Sequence, residues 1–407
     1  MDAAMLYALR DPAGVPSHPI LFLVLGVLTW ALHIAAVQVM LGASALTLYG
    51  AFSRDAHWRR LAAAMLATAK VAVSVAIVLG VAPLLFTQVI YDPFWYTSNV
   101  LSARWAIAFI VLLIGGYLAL YVFYYRNPSL ATQPTRGSLH LVISLALLLV
   151  VGWIMHVLSY QMLLPEQWMS WYAPNGQIDP SGRGLHGYSV TRFAFFILLS
   201  VAVVAAWLFA YRRYLMGRAG EDAAYLAWLG RLAHRWMLAG GALAVASGVL
   251  WLATLPEKMV WFATSGWVWA SAVALLLATL FPRLLGKRLD QGLWGYAPFA
   301  VGSVALIVVA AAREALRFVT LMDVHGYNAL DYKLNLDWYS TSLFFVTFAV
   351  LGGVVLGYLL TVAWKAGQTQ GVYTPSPALT RLGNVSIGLL VLWIVQYFAI
   401  GFYVWAR

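Results

Sequence analysis

No cysteine occurs in the 407 residues. That absence excludes disulfides, thiolate metal sites, iron–sulfur clusters and covalently attached haem c within the chain. Charge is the next scarcity. Asp, Glu, Lys and Arg make up 10% of the residues, against about a quarter in an ordinary soluble domain. With so few polar groups the chain cannot cover a water-facing surface, and a soluble globular fold is excluded. Low-complexity tracts and internal repeats are also missing, as is any stretch that reads as a soluble domain. The first eighteen residues are mixed, carrying Asp2, Asp11, Pro12 and Pro16. They do not read as a cleavable signal peptide, and the first apolar span is expected to remain in the mature protein.

What the chain does have is hydrocarbon. Apolar residues reach 63% and mean hydropathy is +0.81. Runs of about 20 apolar residues predict ten helices, near 19–51, 59–91, 101–125, 138–164, 189–211, 229–255, 259–281, 295–322, 339–364 and 384–406. Turns rich in Pro, Gly and Asn separate them, such as YRNPSLATQPTRG and WYAPNGQIDPSGRG. The expected fold is all-α: a polytopic membrane helix bundle forming a single transmembrane domain over 1–407.

The net charge of +11 follows from topology and does not indicate nucleic acid. Alternate loops hold the basic residues: Arg54, Arg59 and Arg60, then Arg126 and Arg136, then Arg212, Arg213, Arg218, Arg231 and Arg235, then Arg283, Lys287 and Arg288, then Lys365 and Arg381. The opposite loops carry Asp92, Glu166, Asp179, Glu257, Asp323, Asp331 and Asp337. By the positive-inside bias the first set is cytoplasmic, which puts both termini outside. Clusters such as Trp95–Tyr96 and Trp168, Trp171 and Tyr172 fall at outer boundaries, where aromatic residues anchor helices.

Ionisable groups inside spans are costly and mark function by default. They are His33, Lys70, His156, Arg313, Glu314 and Arg317. At 1.5 Å per residue, His33 lies about 31 Å from Arg54, His156 about 30 Å from Arg136 and Glu314 about 39 Å from Arg288. Three helices thus bring polar side chains to a similar outer level of a core about 30 Å thick. His33, in LTWALHIAAVQVMLGASAL, has two readings: a histidine bonded to a neighbouring helix, or an axial haem ligand, since neutral imidazole is the usual donor to haem iron. Gly42 would let either a flat macrocycle or another helix approach closely. His156, in VVGWIMHVLSYQMLLPEQW, carries the same pair of readings. His140, sixteen residues earlier, points to the opposite side of that helix and cannot share its site.

Arg313, Glu314 and Arg317 lie within one turn and a quarter. One reading is a structural charge pair whose arginines snorkel outward. The other is a pocket in which guanidiniums meet haem propionates and the carboxylate ligates or faces the iron. Lys70, about 15 Å from Arg60, either pairs with a carbonyl or assists proton movement.

These segments resemble a known family. HIAAVQVMLG (33–42) resembles the H-x-x-x-V-x-x-x-L-G segment of cytochrome bd quinol oxidase subunit I, whose histidine is an axial haem ligand. GVAPLLFTQVIYDPFWYTSNVL (80–101) resembles the stretch closing that family's haem pocket. REALRFV (313–319) sits where the family carries E-x-G-R-Q-P-W, placing Glu314 at a haem-ligating carboxylate and Arg317 at the arginine. The resemblance spans helices one to nine, about 19–364, with an extra helix at about 384–406.

For His33, Glu314 and Arg317 it implies binding to haem b; with His156 and Arg313, which the shared depth adds, the expectation is one or two haem b groups with His33, His156 and Glu314 toward iron. It also implies quinone as a further ligand class. The expected setting is a bacterial or archaeal inner (cytoplasmic) membrane. There the chain would join a respiratory complex with a second membrane subunit, a c-type cytochrome on the outer side, or both.

Departures from the family are equally plain. The third helix lacks the family's glutamates, and the quinol loop shrinks to TLPEKM. YSVTRFAFFILLSV has no match to the histidine of helix five, and only Met259 could stand for the methionine completing that haem. The lost carboxylates argue against oxygen reduction and leave electron transfer between quinol and an outer partner as the expected oxidoreductase role. Two alternatives stay open: a genuine terminal quinol oxidase moving protons by waters and Lys70, and a haem-free transporter or membrane anchor.

Overall fold

The computed structural model describes residues 3–218, 220–369 and 371–406. Among them, ten helices are long and apolar enough to cross a membrane: Pro19–Phe52, Ala56–Ile90, Ala103–Arg126, Ser138–Gln161, Val190–Met216, Ala223–Ala253, Gly266–Asp290, Trp294–Val324, Trp338–Gln368 and Pro377–Trp405. They are called the first to tenth spans. The first two, at 34 and 35 residues, are the longest. No β-strand forms among the described residues, so the all-α expectation is met.

Most boundaries that differ from the expected ones are set by capping chemistry. Asp222 accepts a hydrogen bond from the Ala224 backbone N–H at 2.8 Å and starts the sixth span at Ala223, ahead of 229. Ser376 caps the tenth span with Pro377 in its first turn, ahead of 384. The seventh begins later than 259 because Glu257–Thr264 winds as a separate 3₁₀ segment. The second span stops at Ile90. Tyr91 leaves helical geometry while its N–H still reaches Thr87 O at 3.0 Å, and Asp92–Leu101 continues as a short helix of its own.

The chain divides into two compact units. The first comprises Pro19–Met216 and Glu221–Tyr332 with the residues up to Pro12. In it the first and second, third and fourth, fifth and sixth, and seventh and eighth spans pack as neighbouring hairpin pairs. The first span is also packed against the fourth, fifth and eighth. Its contact with the fifth needs Gly42, where an added Cβ would stand 2.5 Å from Val204 Cβ. Gly42 therefore admits a helix at that point rather than a ring.

Small and polar residues join these helices, as expected where lipid supplies no hydrophobic drive between them. Ser144 donates to Gly116 O at 2.7 Å, Gln38 Nε2 to Phe196 O at 3.1 Å, and Ser98 to Leu158 O at 2.7 Å. Outward-facing positions are apolar, Val78 and Ile107 among them, because the surroundings are acyl chains.

The second unit comprises Ala13–His18, Gly217–Gly220 and Lys333–Arg407. Val15 and Lys333 join backbones at 2.9 Å. Trp393 Nε1 donates to Thr347 Oγ1 at 2.9 Å between the ninth and tenth spans. The ninth is interrupted by a π-helical stretch at Val346–Gly352.

Candidate functional site

Within the first unit, the first five spans and the eighth line a cavity of about 400 Å³. That is within the range of ligand sites, about 300–1,000 Å³. His33, His156, Arg313, Glu314 and Arg317 all line it. The five residues singled out from three helices are brought to one place.

His33 enters from the first span, one turn beyond Trp30 on the same face. Its Nδ1 lies 2.9 Å from the Ala76 carbonyl on the second span. A carbonyl offers only lone pairs, so Nδ1 carries the proton and Nε2 keeps a bare lone pair. Gly80 makes room for the ring, since a Cβ there would stand 2.9 Å from His33 Cε1. The ring is thus held by a backbone acceptor on one nitrogen, the arrangement that fixes the tautomer of metal-binding histidines.

His156 is held differently. Its Nε2 accepts the Ser189 backbone N–H at 3.1 Å, which puts the proton on Nδ1. The ring is stacked with Trp153 and Tyr160 at centroid distances of 5.4 and 5.9 Å. The expectation that His156 ligates iron therefore meets a lone pair already engaged. Ligation would require the ring to release Ser189.

The charged residues of the eighth span do not snorkel. Arg313 and Arg317 reach Glu314 Oε2 at 3.7 and 3.5 Å, and both donate to Ser159 Oγ of the fourth span at 3.3 Å. Arg313 also lies over the Trp30 ring at 4.5 Å and Arg317 over the Tyr91 ring at 5.1 Å, distances at which cation–π attraction acts. Both ion pairs use Glu314 Oε2. Oε1 is buried and makes no hydrogen bond of ordinary length.

A further arginine escaped the sequence reading. Arg192, in the first turn of the fifth span, is only 4% exposed and lines the same cavity. The available signal is an arginine at the start of the apolar run YSVTRFAFFILLSV, and at a helix end such a residue reads as solvated until its burial is known. Ser159, Thr87 and Trp30 were missed for a different reason. They are ordinary residues in isolation and matter only through their neighbours.

Other expected positions lie elsewhere. Lys70 Nζ sits 4.0 Å over the Tyr124 ring, its partner an aromatic face rather than a carbonyl. His140 Nδ1 lies 3.0 Å from Gly137 O at the other end of the fourth span. Met259 is buried in the apolar core and does not line the cavity.

Behind His156, the loop carrying Ser189 is sewn to the bundle. Ser102 Oγ donates to Gly184 O at 2.7 Å, Trp105 Nε1 to Arg183 O at 2.7 Å, and the His186 N–H to Gln161 Oε1 at 2.9 Å. The His186 ring stacks on Trp171 at 5.2 Å, and burial holds its pKa below the usual 6.5.

Among solved structures, the bd oxidase of Geobacillus thermodenitrificans superposes on this chain with a TM-score of 0.57 at 14% identity, covering 91% of this chain and 99% of that one. The two share a fold. No family model matches the sequence, and no curated protein matches it either. The bd-like architecture expected from HIAAVQVMLG and REALRFV is thereby supported at the level of fold, along with a multi-pass membrane protein.

Proposed function

We propose that the chain is a haem b-binding, bd-like membrane subunit of a respiratory electron-transfer complex. It would pass electrons between quinone or quinol and an outer-side partner such as a c-type cytochrome. The observation that carries this reading is the cavity holding His33, with Nδ1 tied to Ala76 O and Nε2 bare, together with arginines and a buried carboxylate.

The residues fit the group. His33 Nε2 is the available imidazole donor, Gly80 leaves room for its ring, and the aromatic and aliphatic lining suits a flat macrocycle. Arg313 and Arg317 would hold propionates, and Glu314 Oε1 would ligate or face the iron. His33 would hold the iron of the group, and His156 would form part of the pocket wall. Haem, when bound, supplies one-electron redox chemistry that no protein side chain here provides. The protein's part is to fix the imidazole, exclude water with apolar side chains, and place positive charge beside the group so that its potential is set locally.

The outer-facing termini, the inner-membrane location and a second subunit belong to the same proposal, supported by the loop charge bias and the shared fold. The test is a reduced-minus-oxidised visible spectrum of the purified protein. Soret and α bands are expected, and His33→Ala should lose them while the protein still assembles in the membrane. A protein colourless under conditions that retain cofactors overturns the haem reading in favour of a haem-free transporter or anchor.

A further inference from the structure

Arg192 is the least explained charge in the first unit. It is 4% exposed, yet its Nε and Nη1 have no hydrogen-bond partner among the described residues. It lies over the Tyr160 ring at 5.6 Å, at the outer limit of cation–π attraction. Tyr160 follows Ser159, the residue on which Arg313 and Arg317 converge. The fourth span therefore presents one guanidinium beside Tyr160 and two beside Ser159, all bordering one cavity.

The charges do not balance. Among the described lining residues the groups charged at neutral pH, histidines aside, are Arg192, Arg313, Arg317 and Glu314, and Glu314 is shared by the two arginines of its own helix. A buried guanidinium without a counter-charge is costly, and one with idle donors loses its hydrogen bonds as well. Neither cost falls on a site that receives two negative charges.

We propose that Arg192, Arg313 and Arg317 form the receptor for a dianionic ligand end. Resting on the haem reading above, Arg192 takes one of the two carboxylates of haem b, and the pair of arginines on the eighth span takes the other. The guanidinium of Arg192 offers two-donor forks along its edges, Nε with Nη2 and Nη1 with Nη2, each holding one idle donor, and such a fork binds a carboxylate with paired hydrogen bonds. Ser189 Oγ accepts the Arg192 backbone N–H at 3.2 Å, pinning the start of the helix that carries the fork.

The experiment uses the purified holoprotein, with haem content and midpoint potential followed from pH 5 to pH 8. In the wild type a carboxylate paired with arginine stays ionised, so the potential is expected to be flat with pH. In Arg192→Gln the α band should persist, because His33 is intact. The potential should fall, since a positive charge that favours reduced iron is gone, and it should acquire a pH slope as the released carboxylate takes up a proton on reduction. Arg192→Lys keeps the charge but not the fork. It should stay flat with pH while losing haem on the order of tenfold more readily.

If Arg192→Gln matches the wild type in potential and slope, or the wild-type potential already varies with pH, the assignment is overturned. If Arg192→Gln fails to accumulate, the wild-type titration and Arg192→Lys decide, and haem retention in Arg192→Lys equal to wild type overturns it. A wild-type protein without haem is a separate outcome that removes the proposed function itself.

Discussion

His33 and His156 border the same cavity and differ in which nitrogen is engaged. That difference could not be read from the sequence, because a tautomer is set by the partner helix. Ala76 and Ser189 are anonymous until packing brings them near. Two outcomes follow. Gly80→Val should push the His33 ring off Ala76 O, because a Cβ there stands 2.9 Å from Cε1; the α band should weaken while far-UV circular dichroism keeps its helical signal. His156→Gln retains an acceptor for Ser189 and should leave the haem spectrum unchanged; a lost axial signature in that variant would return His156 to the role of ligand. The charged trio of the eighth span was legible as a group, since Arg313, Glu314 and Arg317 stand out against an apolar helix. Arg192 was not, because a lone arginine at a helix end reads as solvated until its burial is known. The loop that presents Ser189 carries a titratable group, His186, whose pKa burial lowers below 6.5. The folded loop therefore prefers the neutral ring. The stability this adds is fully present above pH 6.5 and is lost as pH falls below it. Hydrogen exchange in 177–189, corrected for intrinsic rates, should be faster at pH 5.5 than at pH 7.5, and His186→Phe should remove the difference.

Helix existence was readable from apolar length alone, and all ten spans are present. The ends were readable only where capping residues declare themselves, and here Asp222 and Ser376 were overridden by the hydropathy profile. The polar side chains at the start of these helices lie outside the apolar run yet belong to the helix, so a hydropathy criterion starts it late. The helix at Asp92–Leu101 was hidden for a related reason: Tyr91 interrupts the geometry without interrupting the apolar pattern. Packing between elements is the least legible level. Gly42 was ambiguous between a macrocycle and a helix, and Val204 decides for the helix. Gly42→Leu should separate the first and fifth spans and destabilise the bundle by about 1–3 kcal/mol or more, seen as a lower thermal midpoint in detergent.

At the level of the whole molecule, orientation can be tested with an unusual convenience, because no native thiol competes with an introduced one. Ser181→Cys should react with a membrane-impermeant maleimide on intact cells, whereas Ser129→Cys should react only after permeabilisation. The reverse pattern would invert the proposed topology and place the cavity nearer the other face. The first and second spans, at 34 and 35 residues, are each about 51 Å long, well beyond the roughly 30 Å of acyl chain in an ordinary bilayer. A rod of that length must lean, stand proud of the headgroups, or stretch the lipid around it. His33 and Gly80 sit on these two rods, so vesicles of short-chain and long-chain phosphatidylcholine should leave the pocket differently shaped, and bilayer thickness becomes a setting to which its chemistry responds.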